Sequence, residues 1–210
     1  MATMADGSRR ARGRGEGFAL AHGMLDARRA MARVVGVIAL CGLGVAASGC
    51  GGSSLPPRGV IEADVSSWEF RRYQKVLDIE VWVPDNPAVA HTASYVAHDA
   101  ARGGELGPDD VVSAVVTRFE RADGVGEAVV ELVGRLARES GYRVRVVAAA
   151  RGMAIEIHGR GEAWMMWAST AYVVKVGGRG RSAVPSEVVS AYARHYPSTL
   201  DDAEVDAYLR

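Results

Sequence analysis

Beyond position 50 the 210-residue chain has no cysteine; its only two are Cys41 and Cys50. A domain built from residues 51–210 can hold no internal disulfide and offers no thiol nucleophile, so its core alone must stabilise it, which its size permits. Lysine is scarce too. After residue 49 only Lys75 and Lys175 occur, and 18 basic side chains stand against 22 acidic ones. A mildly acidic domain lacks the electrostatic footprint of a nucleic-acid binder, so no nucleic-acid partner is expected. The zero formal charge of the whole chain hides this asymmetry, because residues 1–49 carry seven Arg against Asp6, Glu16 and Asp26. No G-x-S-x-G elbow occurs, which removes the usual setting of a serine nucleophile.

What is present begins with an apolar run, Val34 to Ala47 (VVGVIALCGLGVAA), preceded by Arg28, Arg29 and Arg33. About 20 residues are needed to span a bilayer, so the run fits the h-region of a signal peptide. It ends Ala47-Ser48-Gly49-Cys50, with Gly51-Gly52-Ser53-Ser54 after it. This resembles the lipobox of bacterial lipoproteins: small residues before an obligatory cysteine, then a flexible tail. Ala47 stands where that motif prefers Leu, and Cys41 does not fit it because Leu40 precedes it. The resemblance implies diacylglycerol on Cys50, cleavage before it and acylation of the new terminus. The competing reading is an ordinary secretory peptide cleaved near Ala47. The n-region before the run is unusually long, and Met24 and Met31 are the alternative starts this reading allows.

The expected division is therefore 1–49 as signal peptide, 50–58 as lipidated cysteine and tether, and 59–210 as one α+β domain. Two or three acyl chains hold a protein stably at a bilayer where one binds reversibly. The tether, Gly51 to Pro57, has a flexible reach of only about 15 Å. With Gly51 after the cysteine, the sorting rule for such lipoproteins favours the outer membrane over the inner.

Within the domain, Leu77 to Val83 (LDIEVWV) reads as the first strand, and Asp85-Asn86-Pro87 as the cap and first turn of a helix. That helix would carry Val89, Ala93, Val96, Ala97 and Ala100 at helical spacing as far as Gly103-Gly104. Val111 to Phe119 reads as a strand. Asp123 opens a helix with Val125, Val129, Leu132, Val133 and Leu136 on one face, ended by Gly141. Four strands come next, Tyr142 to Ala149, Met153 to His158, Ala163 to Ala168 and Ala171 to Val176, as an antiparallel meander. A basic glycine loop, Gly177 to Arg181, leads to a third helix from Pro185, and Pro197-Ser198 to a short last one through Tyr208. The order implies an α+β sandwich, with a mixed or antiparallel sheet and helices mainly on one face.

Candidate chemistry is sparse. His91, Tyr95, His98 and Arg102 would form a solvent-facing stripe on the first helix. His91 and His98 lie about 10 Å apart along such an axis, too far to share one metal ion without other ligands. Gly124-Val125-Gly126 lacks the third glycine of a dinucleotide fingerprint. No cofactor and no metal is expected. The most unusual stretch is Trp164-Met165-Met166-Trp167, with Tyr172 after it. Alternation puts an apolar residue on both faces of a strand there, so one face can be core and the other open to a protein or envelope partner. The reading is a non-catalytic binding or structural domain anchored to a membrane; the alternative is a small hydrolase-like envelope enzyme whose site is assembled from distant residues.

Overall fold

The computed structural model describes residues 54–149 and 151–209. Cys50 and the signal-peptide reading lie outside them. Seven strands form one sheet in the order β1-β2-β3-β7-β6-β5-β4: β1 Trp68–Val76, β2 Ala88–Ala97, β3 Val111–Phe119, β4 Tyr142–Ala149, β5 Gly152–Gly159, β6 Glu162–Ser169 and β7 Tyr172–Arg179. Every pairing is antiparallel. Four helices accompany it, α1 His98–Gly103, α2 Val125–Arg138, α3 Ser186–His195 and α4 Asp202–Leu209. The fold is mixed α+β, though mostly sheet. Among the described residues no helix is long and apolar enough to cross a membrane.

The second half agrees with the sequence expectation almost element for element. Residues 68–103 do not. The expected helix over 89–102 is a ten-residue strand, β2, followed by the short α1. Val89, Thr92, Tyr95 and Val96 are residues that pack well in sheets, and pairing with both β1 and β3 decides the matter. Asn86 caps no helix: its Nδ2 donates to the Arg121 carbonyl at 2.9 Å, and its Oδ1 accepts the Arg121 amide at 3.0 Å. It is buried and staples the start of β2 to the end of β3.

The segment expected as the first strand, 77–83, pairs with no strand. It lies across the sheet as a bent strap. Val81 and Val83 are buried while Leu77 and Trp82 face solvent. Gly124, at φ 76°, meets it closely, since a Cβ there would stand 3.1 Å from Val83 Cγ1. The true first strand, β1, carries a bulge between Phe70 and Arg72. Its Arg71, Arg72 and Lys75 suit an edge, where charge discourages further pairing.

Both sheet faces are covered. Trp167, Val174, Val116 and Tyr95 share one face by register. Here α3 docks, since Tyr192 hydrogen-bonds Tyr95 and Trp167 Nε1 donates to the Tyr196 carbonyl at 2.7 Å. Trp164, Met166, Ile155 and Lys175 share the other face. Part of that face lies beneath the strap, where Glu80 accepts two hydrogen bonds from Lys175. Helix α2 links the parallel-running β3 and β4. Phe119 donates its amide towards β7, which fixes the side on which β7 lies. The right-handed sense of β-α-β crossovers then lays α2 over the Met166 face. Helices therefore flank the sheet on both faces.

The two tryptophans of β6 differ sharply. Trp167 is 1% exposed. Trp164 is half-buried, with its Nε1 on Glu162 at 3.0 Å and Lys175 Nζ 4.3 Å above its ring. Trp167→Ala should lose about 3–5 kcal/mol of stability, as truncating a core aromatic usually does. Trp164→Ala should lose about 1 kcal/mol, the scale of a partly exposed cation–π contact. Urea midpoints of the two variants check this, and equal losses would contradict the burial.

Candidate functional site

A backbone segment with no ladder partner must find other hydrogen-bond partners when it is buried. Residues 59–61 do so through three tyrosines. Tyr196 Oη donates to the Gly59 carbonyl at 2.7 Å, and Tyr95 Oη to the Ile61 carbonyl at 2.5 Å. The Ile61 amide donates to Tyr192 Oη at 3.0 Å. The two phenols are 2.8 Å apart, and because the Tyr95 proton is committed to Ile61, Tyr192 is the donor between them. Burial pushes all three phenols well above their ordinary range. They act as structural hydrogen-bonding groups.

The chain just before this pinned segment bounds a cavity of about 260 Å³ against the sheet. Leu55 to Gly59 form one wall. The floor comes from Tyr73 of β1, Val89 and His91 of β2, Val116 and Arg118 of β3, and Tyr172 of β7, with Tyr196 closing the side. Register explains the grouping, since Lys75 pairs with His91, His91 with Val116, and Arg118 with Tyr172. His91 lies 5.2 Å from the Tyr73 ring, and Arg58 covers that ring at 4.7 Å. The Tyr172 and Tyr196 rings meet at an inclination of 52°, their centroids 5.1 Å apart. No lining residue is acidic. Among the described residues, Arg58 pairs with Glu62 at 3.5 Å, and neither Lys75 nor Arg118 has a carboxylate partner. The cavity combines cations with aromatic faces.

The electrostatics agree. Burial holds the His91 imidazole below its ordinary value, the Arg58 carbonyl opposes this, and the charges of Lys75, Arg118 and Arg58 add to the depression. A half-buried histidine beside Lys75, Arg118 and Arg58 resists a further proton.

Of the five residues of the expected binding face, only Tyr172 reaches this cavity. Trp167 and Met166 are core, Met165 is half-buried, and Trp164 with Met166 lines a second, smaller space of about 120 Å³ beneath the strap. The expected solvent stripe is dispersed. Tyr95 is fully buried, His91 lines the cavity, and His98 sits 3.9 Å from Asp64. Elsewhere Glu156 accepts from Arg145 and contacts His158 at 2.9 Å, a surface cluster joining β4 to β5. Arg181, in the glycine loop, is buried against the Trp68 ring, and its guanidinium donates to the carbonyls of Asp109, Val111 and Ala183. It fastens the approach to α3.

His91 supplies a pH test. Its folded pKa lies below the value near 6.5 of an unfolded chain, so the unfolded chain binds the proton first. Stability should fall as pH drops from about 6.5 towards the lowered folded value. His91→Gln should remove that component. Denaturation at pH 7.5 and 5.5 measures it, and an acid loss identical to the unaltered chain would show that His91 contributes none of it.

No family model and no curated protein matches the sequence. Among solved structures the chain is similar to the crystal structure of a GTP binding regulator from Thermotoga maritima. The identity is 14%, the match covers 68% of this chain and 91% of that one, and the TM-score is 0.40.

Proposed function

We propose that the chain is a bacterial envelope lipoprotein, anchored through acyl chains on Cys50, whose domain is a binding module for small anions with an apolar body. The anchoring part rests on the lipobox-like Ala47-Ser48-Gly49-Cys50 and the short apolar run before it. By the identity of Gly51 the outer membrane is favoured. The binding part rests on one observation, the cavity lined by Arg58, His91, Arg118 and three tyrosines without an acidic residue. Guanidinium groups recognise carboxylates and phosphates through charge-assisted, planar hydrogen bonds. Tyrosine faces and Val89, Val116 and the prolines accept the apolar part.

Two measurements test the two parts. Cys50→Ser should abolish incorporation of labelled palmitate and release the chain from membranes; undiminished labelling would move the anchor elsewhere. Binding of phenyl phosphate to the Cys50→Ser chain, followed by calorimetry and by the His91 ring resonances, should raise the His91 pKa. Arg118→Gln should weaken that binding by about tenfold, the loss of one charge-assisted contact. Absence of binding in the folded chain would sink the binding reading, and release of phenol would favour the hydrolase alternative.

A further inference from the structure

Among the described residues the large hydrophobic side chains most open to solvent are Leu55 (47%), Leu77 (91%), Trp82 (74%), Val89 (39%) and Leu106 (49%). Four of the five gather at one end of the sheet. There β1 ends at Val76, β2 begins at Ala88, β3 ends at Phe119 and β7 begins at Tyr172. Leu77 succeeds β1 directly, and Trp82 shares a hollow with Pro87, Ala88 and Phe119. Leu55 and Val89 line the cavity with Arg118 and Tyr172, the cross-strand pair at this same end. Leu106 alone sits at the opposite end, between α1 and the turn Pro108–Asp110 that leads into β3.

The chain enters the domain at this same end. The Ser54 carbonyl lies 2.9 Å from His195 Nδ1, and Leu55 to Pro57 form the cavity wall. Ser54 is four residues after Cys50, a span of about 14 Å at full extension. An acylated Cys50 therefore holds this end, and no other, next to a bilayer. Exposed apolar residues are costly in water and favourable at the headgroup boundary, where tryptophan in particular is stable. Arg58, Lys75 and Arg118 lie at the same end of the sheet, where cations can meet lipid phosphates. Asp78, Asp85 and Glu120 share the rim, so insertion of the apolar side chains, and not net charge, carries the contact.

We infer that this end of the sheet is a bilayer-contact surface, with Trp82 and Leu77 seated among the lipids that hold the Cys50 acyl chains. The inference rests on the anchoring reading and adds to it a fixed orientation: the domain lies against the membrane and does not swing on its tether.

Tryptophan emission reads this directly. Trp68 and Trp167 are buried and Trp164 is half-buried beneath Lys175, so Trp82 is the tryptophan open to a quencher. The processed, acylated chain would be purified from membranes and placed in phosphatidylcholine–phosphatidylglycerol vesicles brominated on their acyl chains, with unbrominated vesicles as reference. Bromine quenches at contact range, so the Trp82 emission should be lost, Trp82→Phe should leave no quenchable component, and Leu77→Asp should restore much of the emission. A chain that floats with the vesicles but keeps full emission overturns the contact surface and leaves the anchor standing. A processed chain that does not float overturns both. Quenching that persists in Trp82→Phe also overturns the assignment.

Discussion

The arrangement at Ile61 is the interaction on which the rest of this domain depends. Its amide and carbonyl are both taken by phenols, Tyr192 and Tyr95, which bond to each other, so three hydrogen bonds close on a single residue. Each phenol comes from a different element, α3 and β2. The ring therefore fixes the helix on the sheet and the entering chain on both. Inside a protein such a closed network is worth more than its separate bonds, and the Tyr95–Tyr192 bond at its centre is buried. The cavity wall exists because this segment cannot lift.

Covering both faces of the sheet explains which elements the sequence reveals. Helices α2 and α3 are legible, since each buries one stripe, and so is the meander β4 to β7 with its short turns. The first two strands are hidden for distinct reasons. In β1 a bulge between Phe70 and Arg72 shifts the alternation. In β2 burial on both faces removes it, so Ala90, Ala93, Ser94, Tyr95 and Val96 are all buried and their spacing also fits a helix. The segment 77–83 carries the reverse lesson. From Ile79 to Val83 its alternation is real, with Val81 and Val83 on the core and Glu80 and Trp82 in water, but that pattern reports burial against a surface and not a hydrogen-bonded neighbour.

The candidate site is less legible than the fold. Arg58, Tyr73, His91 and Arg118 come from the entering segment and three strands, and only register brings them together. Nothing in their local spacing signals a cavity. Tyr172 stands out in the sequence, but for its nearness to Trp164–Trp167, whose conspicuous apolar character is accounted for by α3 on one face and the strap on the other. A lone histidine on an apparent helix becomes a cavity residue once the helix proves to be a strand.

The connection from Gly59 also has a mechanical meaning. Gly59 is held by Tyr196, and the carbonyl of Tyr196 is held by Trp167 at the centre of the sheet. A pull on the preceding chain is thus delivered in two steps to β6, a strand flanked on both sides, and not to the charged edge strand β1 that comes first in sequence. Tension would have to break side-chain bonds in the interior before any strand could be peeled. The domain is loaded through its middle.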